Sequence, residues 1–285
     1  MESKEQPRLV ENAGQTDKVF DVTRIPKKKK QRRTKYFGYY VWLLISISAM
    51  LVMVLQKFYF SQIGVITNIL EPGSISGAFL VSLYCSYRYG FRLRERWLDR
   101  IWFSIMLGMA MWTTANIVWS TDYFLGLTVP YPGLSDYFYL GAVIPVAAAL
   151  IMYLRPFSQV LTFRRLLISV LFIAITAGII IGFVMRSEFA MTQPLEATIT
   201  DLAYPITDIV MFALTTLNLA VFIGGTFSKW WIIFAIGILL YIVADELFLY
   251  QESLGTYYNG SSSDVFYVLS YLVFGLAYYV HKREL

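Results

Sequence analysis

SDYFYLG (residues 135–141) sets a carboxylate, Asp136, at the head of an apolar run that continues to Tyr153. The spelling Asp-x-x-Tyr returns in DLAYP (201–205) and DVFYV (264–268), so that Tyr139, Tyr204 and Tyr267 each stand three residues after Asp136, Asp201 and Asp264. The spacings are 65 and 63 residues, and one further step of 65 back reaches Glu71, where Ser74 replaces the tyrosine. Repetition at a fixed period marks a chain assembled from copies of one unit. Here the unit is a helical hairpin, and four copies predict eight helices. A second match supports the period: WTTANIVWSTDYFLG (112–126) aligns with YIVADELFLYQESLG (241–255), pairing Trp112 with Tyr241, Asn116 with Asp245 and Gly126 with Gly255.

Composition identifies the solvent of those helices. Of 285 residues, 57% are hydrophobic and only 15% charged, and the mean hydropathy is +0.56. A water-soluble fold would leave large apolar patches exposed. Several windows such as LLISVLFIAITAGIIIGFVM carry no charge over the ~20 residues needed to cross a hydrocarbon core. The expected fold is therefore all-α and polytopic. Apolar runs between charged or Gly/Pro breaks put the spans near 37–56, 73–90, 101–120, 136–154, 164–185, 202–224, 230–250 and 264–281. They form an eight-helix transmembrane domain over 36–285, behind a basic tail over 1–35 whose polar composition predicts disorder. The tail's long charged region, with no small-residue cleavage site after it, does not read as a signal peptide.

Charge distribution orients the spans. With the tail in the cytoplasm, alternation places 22 of the 24 Lys and Arg residues on that side, leaving only Lys57 and Arg186 outside. Both termini are then cytoplasmic, whereas seven or nine spans would scramble the segregation. The run Lys27, Lys28, Lys29, Lys30, Arg32 and Arg33 reads as a topology signal, or as a grip on anionic lipid or a cytoplasmic protein. Eleven of the 19 acids, among them Glu71 and Glu188, fall on or near the outer side.

Six of those acids are candidate functional residues, with Tyr139, Tyr204 and Tyr267 beside three of them. Asp136, Asp201 and Asp264 admit two readings: first-turn acids that accept orphan N–H groups and complement the helix dipole, or the lining of an outward-facing pocket. Asp208 lies seven residues past Asp201, roughly 10 Å deeper along the helix. Asp245 and Glu246 sit inside the outer half of span seven, with Asn116 at the position equivalent to Asp245. A carboxylate facing lipid at such depth costs at least ~2.5 kcal/mol, so these groups should face the bundle interior, as a ligand or ion site or as a structural hydrogen-bond network.

Catalytic chemistry finds little footing. The one histidine, His281, stands among basic residues at the cytoplasmic end and reads as solvated. A single histidine excludes bis-histidine haem, multi-histidine zinc and a Ser-His-Asp set on the outer face, and Cys85 alone supplies no thiolate cluster. No mid-span lysine is available for retinal, and phosphate-loop spellings are absent. We expect no enzyme activity, no cofactor and no nucleic-acid partner.

The stretches VPYPGLSDYFYLGAVIPVAAALIMYLR, DLAYPITDIVMFALTTLNLAVF and VADELFLYQESLGTYYNGSSSDVFYVLSYLVFGLAYY resemble a known family. It is the multi-pass N-terminal membrane region found ahead of GGDEF and EAL modules, and of some histidine kinases, in prokaryotic signalling proteins. The resemblance covers roughly residues 100–281 and includes Asp136, Asp208, Asp245 and Asp264. It implies a membrane sensor of unspecified ligand. The sequence ends at HKREL, where a signalling module would follow, so the expected recipient is a separate protein. A scaffold or accessory subunit of a membrane complex and a proton- or cation-coupled transporter are the alternatives.

Overall fold

The computed structural model describes residues 37–59, 63–127, 131–183, 194–223 and 228–284. Residues 39–285 form one compact unit. The basic tail, Arg186 and Glu188 lie outside the described residues.

Among the described residues the chain forms eight α-helices: α1 (Phe37–Tyr59), α2 (Ile63–Tyr89), α3 (Trp97–Phe124), α4 (Leu134–Leu154), α5 (Phe163–Phe183), α6 (Leu195–Phe222), α7 (Ser228–Ser253) and α8 (Ser262–Glu284), with a 3-10 turn at Arg155–Val160. The helices α2 to α8 are long and apolar enough to cross a bilayer, while α1 carries a shorter apolar stretch, Tyr40–Val52. Exposed apolar side chains are spread over the helices, including Ile144 at 73% and Phe163 at 80%, which suits a lipid solvent.

Two helices, α2 and α6, begin seven or more residues earlier than the sequence reading placed them. The Glu-Pro-Gly at 71–73 reads as a break, yet α2 runs through Pro72, just as α4 and α6 run through Pro145 and Pro205. In an apolar solvent the backbone has no water to turn to, and the helix survives a lost N–H because neighbours re-satisfy the freed groups. The consequence is positional: Glu71 and Asp201 lie in the third and second turns of their helices rather than at the first.

Six helices close a ring within this unit. The successive contacts run α2 to α3, α3 to α4, α4 to α6, α6 to α7, α7 to α8 and α8 back to α2. Outside the ring, α5 lies against α6, and α1 is fastened to α8 by Trp42, whose Nε1 donates to the Leu272 carbonyl at 2.5 Å. Aromatic side chains fill the interior. Trp112 stacks on Phe274 at 5.9 Å and meets Tyr241 at 5.0 Å. Nearer the end that carries the 90–96 loop, Trp102, Trp230, Trp231 and Tyr153 pack together, with Trp230 and Trp231 only 4.2 Å apart.

His281 belongs to this packing, which corrects the expectation of a solvated tail histidine. It is 2% exposed, 4.5 Å from the Trp102 ring, and its Nε2 meets the Tyr89 hydroxyl at 2.9 Å. The helix continues to Glu284, so the last turns of α8 keep their inward face. Basic neighbours in sequence do not decide which face of a helix a residue takes.

The turns that end α3 and α7 are built alike. Gly126 and Gly255 have φ of +64° and +62°, a left-handed conformation that glycine adopts at no steric cost. In each, the glycine N–H reaches three residues back and the next N–H five back: Leu127 to the Asp122 carbonyl at 3.0 Å, and Thr256 to the Gln251 carbonyl at 2.8 Å. Both are Schellman closures that satisfy terminal carbonyls. The α3–α4 contact depends on Gly108, because a Cβ there would stand 2.3 Å from Val146 Cγ2 and 3.1 Å from the Ala142 carbonyl oxygen. Gly108→Ala should therefore cost about 1–3 kcal/mol, whereas Gly178→Ala, with nothing within 4 Å, should change stability by no more than about 1 kcal/mol. Thermal unfolding of the two variants in detergent, side by side, checks this.

Candidate functional site

A pocket opens inside the ring at the end that carries Asp136 and Asp264, and each of the six ring helices contributes to its wall. Glu71 comes from α2, Trp119 from α3, Asp136 and Tyr139 from α4 and Tyr204 from α6. Asp245, Phe248 and Leu249 come from α7, and Asp264, Tyr267 and Tyr271 from α8. Tyr257, in the α7–α8 loop, completes it. The cavity volume is about 40 Å³, room for roughly three water-sized occupants. A drug-sized molecule, which needs several hundred cubic ångströms, is excluded.

Most of its carboxylates are held by donors from a second element. Asp136 Oδ2 accepts from the Gly133 N–H at 2.7 Å, the third residue of the helix reaching back to its N-cap, and Oδ1 accepts from the Tyr204 hydroxyl of α6 at 2.7 Å. Asp264 repeats the device at the head of α8: Oδ2 accepts from the Gly260 N–H at 2.5 Å, and Oδ1 from Ser263 at 3.2 Å and Tyr257 at 3.4 Å. Burial, and after it the Asp264 charge, pushes the Tyr257 phenol above its ordinary value, which keeps it an O–H donor. Asp245 accepts from the Tyr267 hydroxyl of α8.

Glu71 is the exception. It is 8% exposed, it lines the pocket, and its Oε1 has no hydrogen-bond partner. A buried acceptor left without a donor costs about 1–3 kcal/mol, more when charged.

The wall opposite is aromatic and pinned. Trp119, Phe248 and Tyr257 meet edge to face at 71° to 79°, with centroids 4.7 to 6.4 Å apart. Trp119 Nε1 donates to Asn259 Oδ1 at 3.3 Å, and Asn68 Nδ2 donates to the same oxygen at 2.9 Å. Gln251 Oε1 accepts from Ser261 at 2.9 Å and Ser263 at 3.1 Å. The loop over 254–261 is therefore tied to α2, α3, α7 and α8.

Of the residues singled out from sequence, Asp136, Tyr139, Tyr204, Asp245, Asp264 and Tyr267 line the pocket. The other four stand behind it. Asp201 accepts from the Tyr131 hydroxyl in the approach to α4. Asp208 is buried and Glu246 half-buried, and neither is among the lining residues. Asn116 donates to the Tyr271 hydroxyl at 3.2 Å, so it points inward as its alignment with Asp245 implies. Asp136 and Asp264 each accept from a backbone N–H at the head of their helix and also line the pocket. The sequence reading omitted Glu71 and the three-ring corner. Their signals were present: Glu71 stands one period before Asp136, and Trp119 aligns with Phe248 in the paired segments.

No family model, curated protein or solved structure matches this chain. The assignment of function accordingly rests on the pocket alone. Its Tyr204–Asp136 bond is directly testable: Tyr204→Phe should cost about 1–3 kcal/mol, and a double-mutant cycle with Asp136→Asn should return a coupling energy of similar size, read from unfolding of the purified variants.

Proposed function

We propose that the chain is a multi-pass cell-membrane protein of eight spans in four like-oriented hairpins, with both termini cytoplasmic. Its acidic, tyrosine-rich pocket faces outward and binds a small ligand as a non-catalytic sensor domain, passing the signal to a separate partner protein. One observation carries this reading: all six ring helices line a single pocket. An occupant there changes the packing of every helix at once, which is how binding energy shifts the population of a bundle. The matched glycine turns after α3 and α7, and the matched acids at the heads of α4 and α8, support the hairpin repeat. The basic tail would lie against anionic lipid or a cytoplasmic partner.

An accessory-subunit role is the second reading, favoured by α5. Only 11% of its apolar window is buried within the chain, and Ala174, Gly178 and Gly182 form an exposed small-residue stripe along it, of the kind that lets helices pack closely in membranes. A coupled transporter is less well supported, because Trp112, Tyr241 and Phe274 fill the interior beneath the pocket.

Two measurements test the proposal. Single cysteines at Leu127 and Tyr258, both exposed, placed in a Cys85→Ser background, should react with an impermeant maleimide on intact cells, while one at Glu95 should react only after permeabilisation. In thermal unfolding against a panel of small solutes, at least one should stabilise the wild-type protein, and Asp245→Asn should lose that response. A panel that shifts both proteins equally would favour the accessory-subunit reading.

A further inference from the structure

Resting on that binding-site reading, we infer that the pocket's ligand is a small primary alkylammonium ion, whose N–H groups donate to Glu71 while its charge lies against the aromatic corner.

Three independent features lead to this chemistry. The first is the orphan acceptor. Asp136, Asp245 and Asp264 already accept from tyrosine hydroxyls, but Glu71 Oε1, buried in the same wall, accepts from nothing. The missing partner is a hydrogen-bond donor, and no Lys or Arg stands among the lining residues. The second is the absence of metal-ligand geometry: no three His, Cys, Asp or Glu groups among the described residues could hold a metal ion. Hard cations such as calcium want six to eight oxygens, which this wall does not assemble. The third is the ring corner of Trp119, Phe248 and Tyr257, since aromatic faces stabilise an organic cation by their quadrupole and most strongly where water is excluded.

Size selects among ammonium ions. A cavity of about 40 Å³, equivalent to roughly three waters, accepts an ammonium headgroup bearing a short alkyl substituent. A quaternary ion of similar size could still use the rings. Having no N–H, it would leave Glu71 without its donor, so discrimination between the two is built into the wall.

The test uses the full-length protein in detergent micelles, with methylammonium chloride as the probe and tetramethylammonium chloride and potassium chloride at equal ionic strength. Trp119 lines the pocket and reports occupancy through its fluorescence. Methylammonium should give a saturable emission change and a rise in melting temperature, potassium should give neither, and tetramethylammonium should bind about tenfold or more weakly. Glu71→Gln keeps the side chain's shape, so it should fold, and it should weaken methylammonium by a similar factor. Trp119→Phe should erase the emission change and leave a smaller thermal shift, since phenylalanine keeps a ring at that corner but a weaker one.

Equal responses to potassium and methylammonium, or undiminished binding by Glu71→Gln, would overturn the inference. If methylammonium has no effect while another solute gives a response that Asp245→Asn abolishes, the ligand assignment falls and the binding site stands. If neither variant alters any solute response, both fall.

Discussion

Burying a carboxylate without a donor is among the costliest things a chain can do in an apolar surround, and the ring is organised around avoiding it. Asp136, Asp201 and Asp245 each take a hydroxyl from a tyrosine on another element, and Asp264 takes one from the loop before it. Each such bond fixes two backbones relative to each other with a directional contact that apolar packing does not supply. In lipid, where tails are as apolar as leucine, packing and hydrogen bonds rather than hydrophobic burial hold helices together. The acid and tyrosine pairs are therefore attachments as well as pocket wall.

That dual use explains why the pocket and the bundle cannot be treated separately. The Tyr204–Asp136 bond joins α6 to α4, which α5 separates in sequence. The Asn259 bridge draws the α7–α8 loop onto α2 and α3. Below these, the aromatic layer of Trp112, Tyr241 and Phe274 closes the interior, so a ligand entering the polar end meets a floor. Such a pocket can register occupancy through its walls without offering a route onward.

At the other end the interior is filled by packed rings and His281, and the buried Asp99 there accepts from the Arg92 N–H at 2.7 Å. Trp102 lies 5.9 Å from Tyr89 and 4.5 Å from His281, and Lys282 Nζ sits 3.9 Å above the Tyr84 ring.

Much of this was legible without coordinates. Apolar length was enough to expect eight helices, the Asp-x-x-Tyr spelling pointed to Asp136 and Asp264, and its place inside an apolar run pointed to Asp245, because helix length and polarity act locally along the chain. Helix starts at 63 and 195 were not legible, since Pro72 and the polar segment before Asp201 look like breaks in water but not in a bundle. Nor could spacing tell that Glu71 Oε1 would stand in the pocket wall without a donor, that Asp208 would not line the pocket, or that His281 would be buried. Those outcomes depend on which residues of different helices arrive at the same place. The chain's own periodicity determined the elements and their chemical ends, and only the closure of six helices into a ring decided which polar groups found partners on other helices.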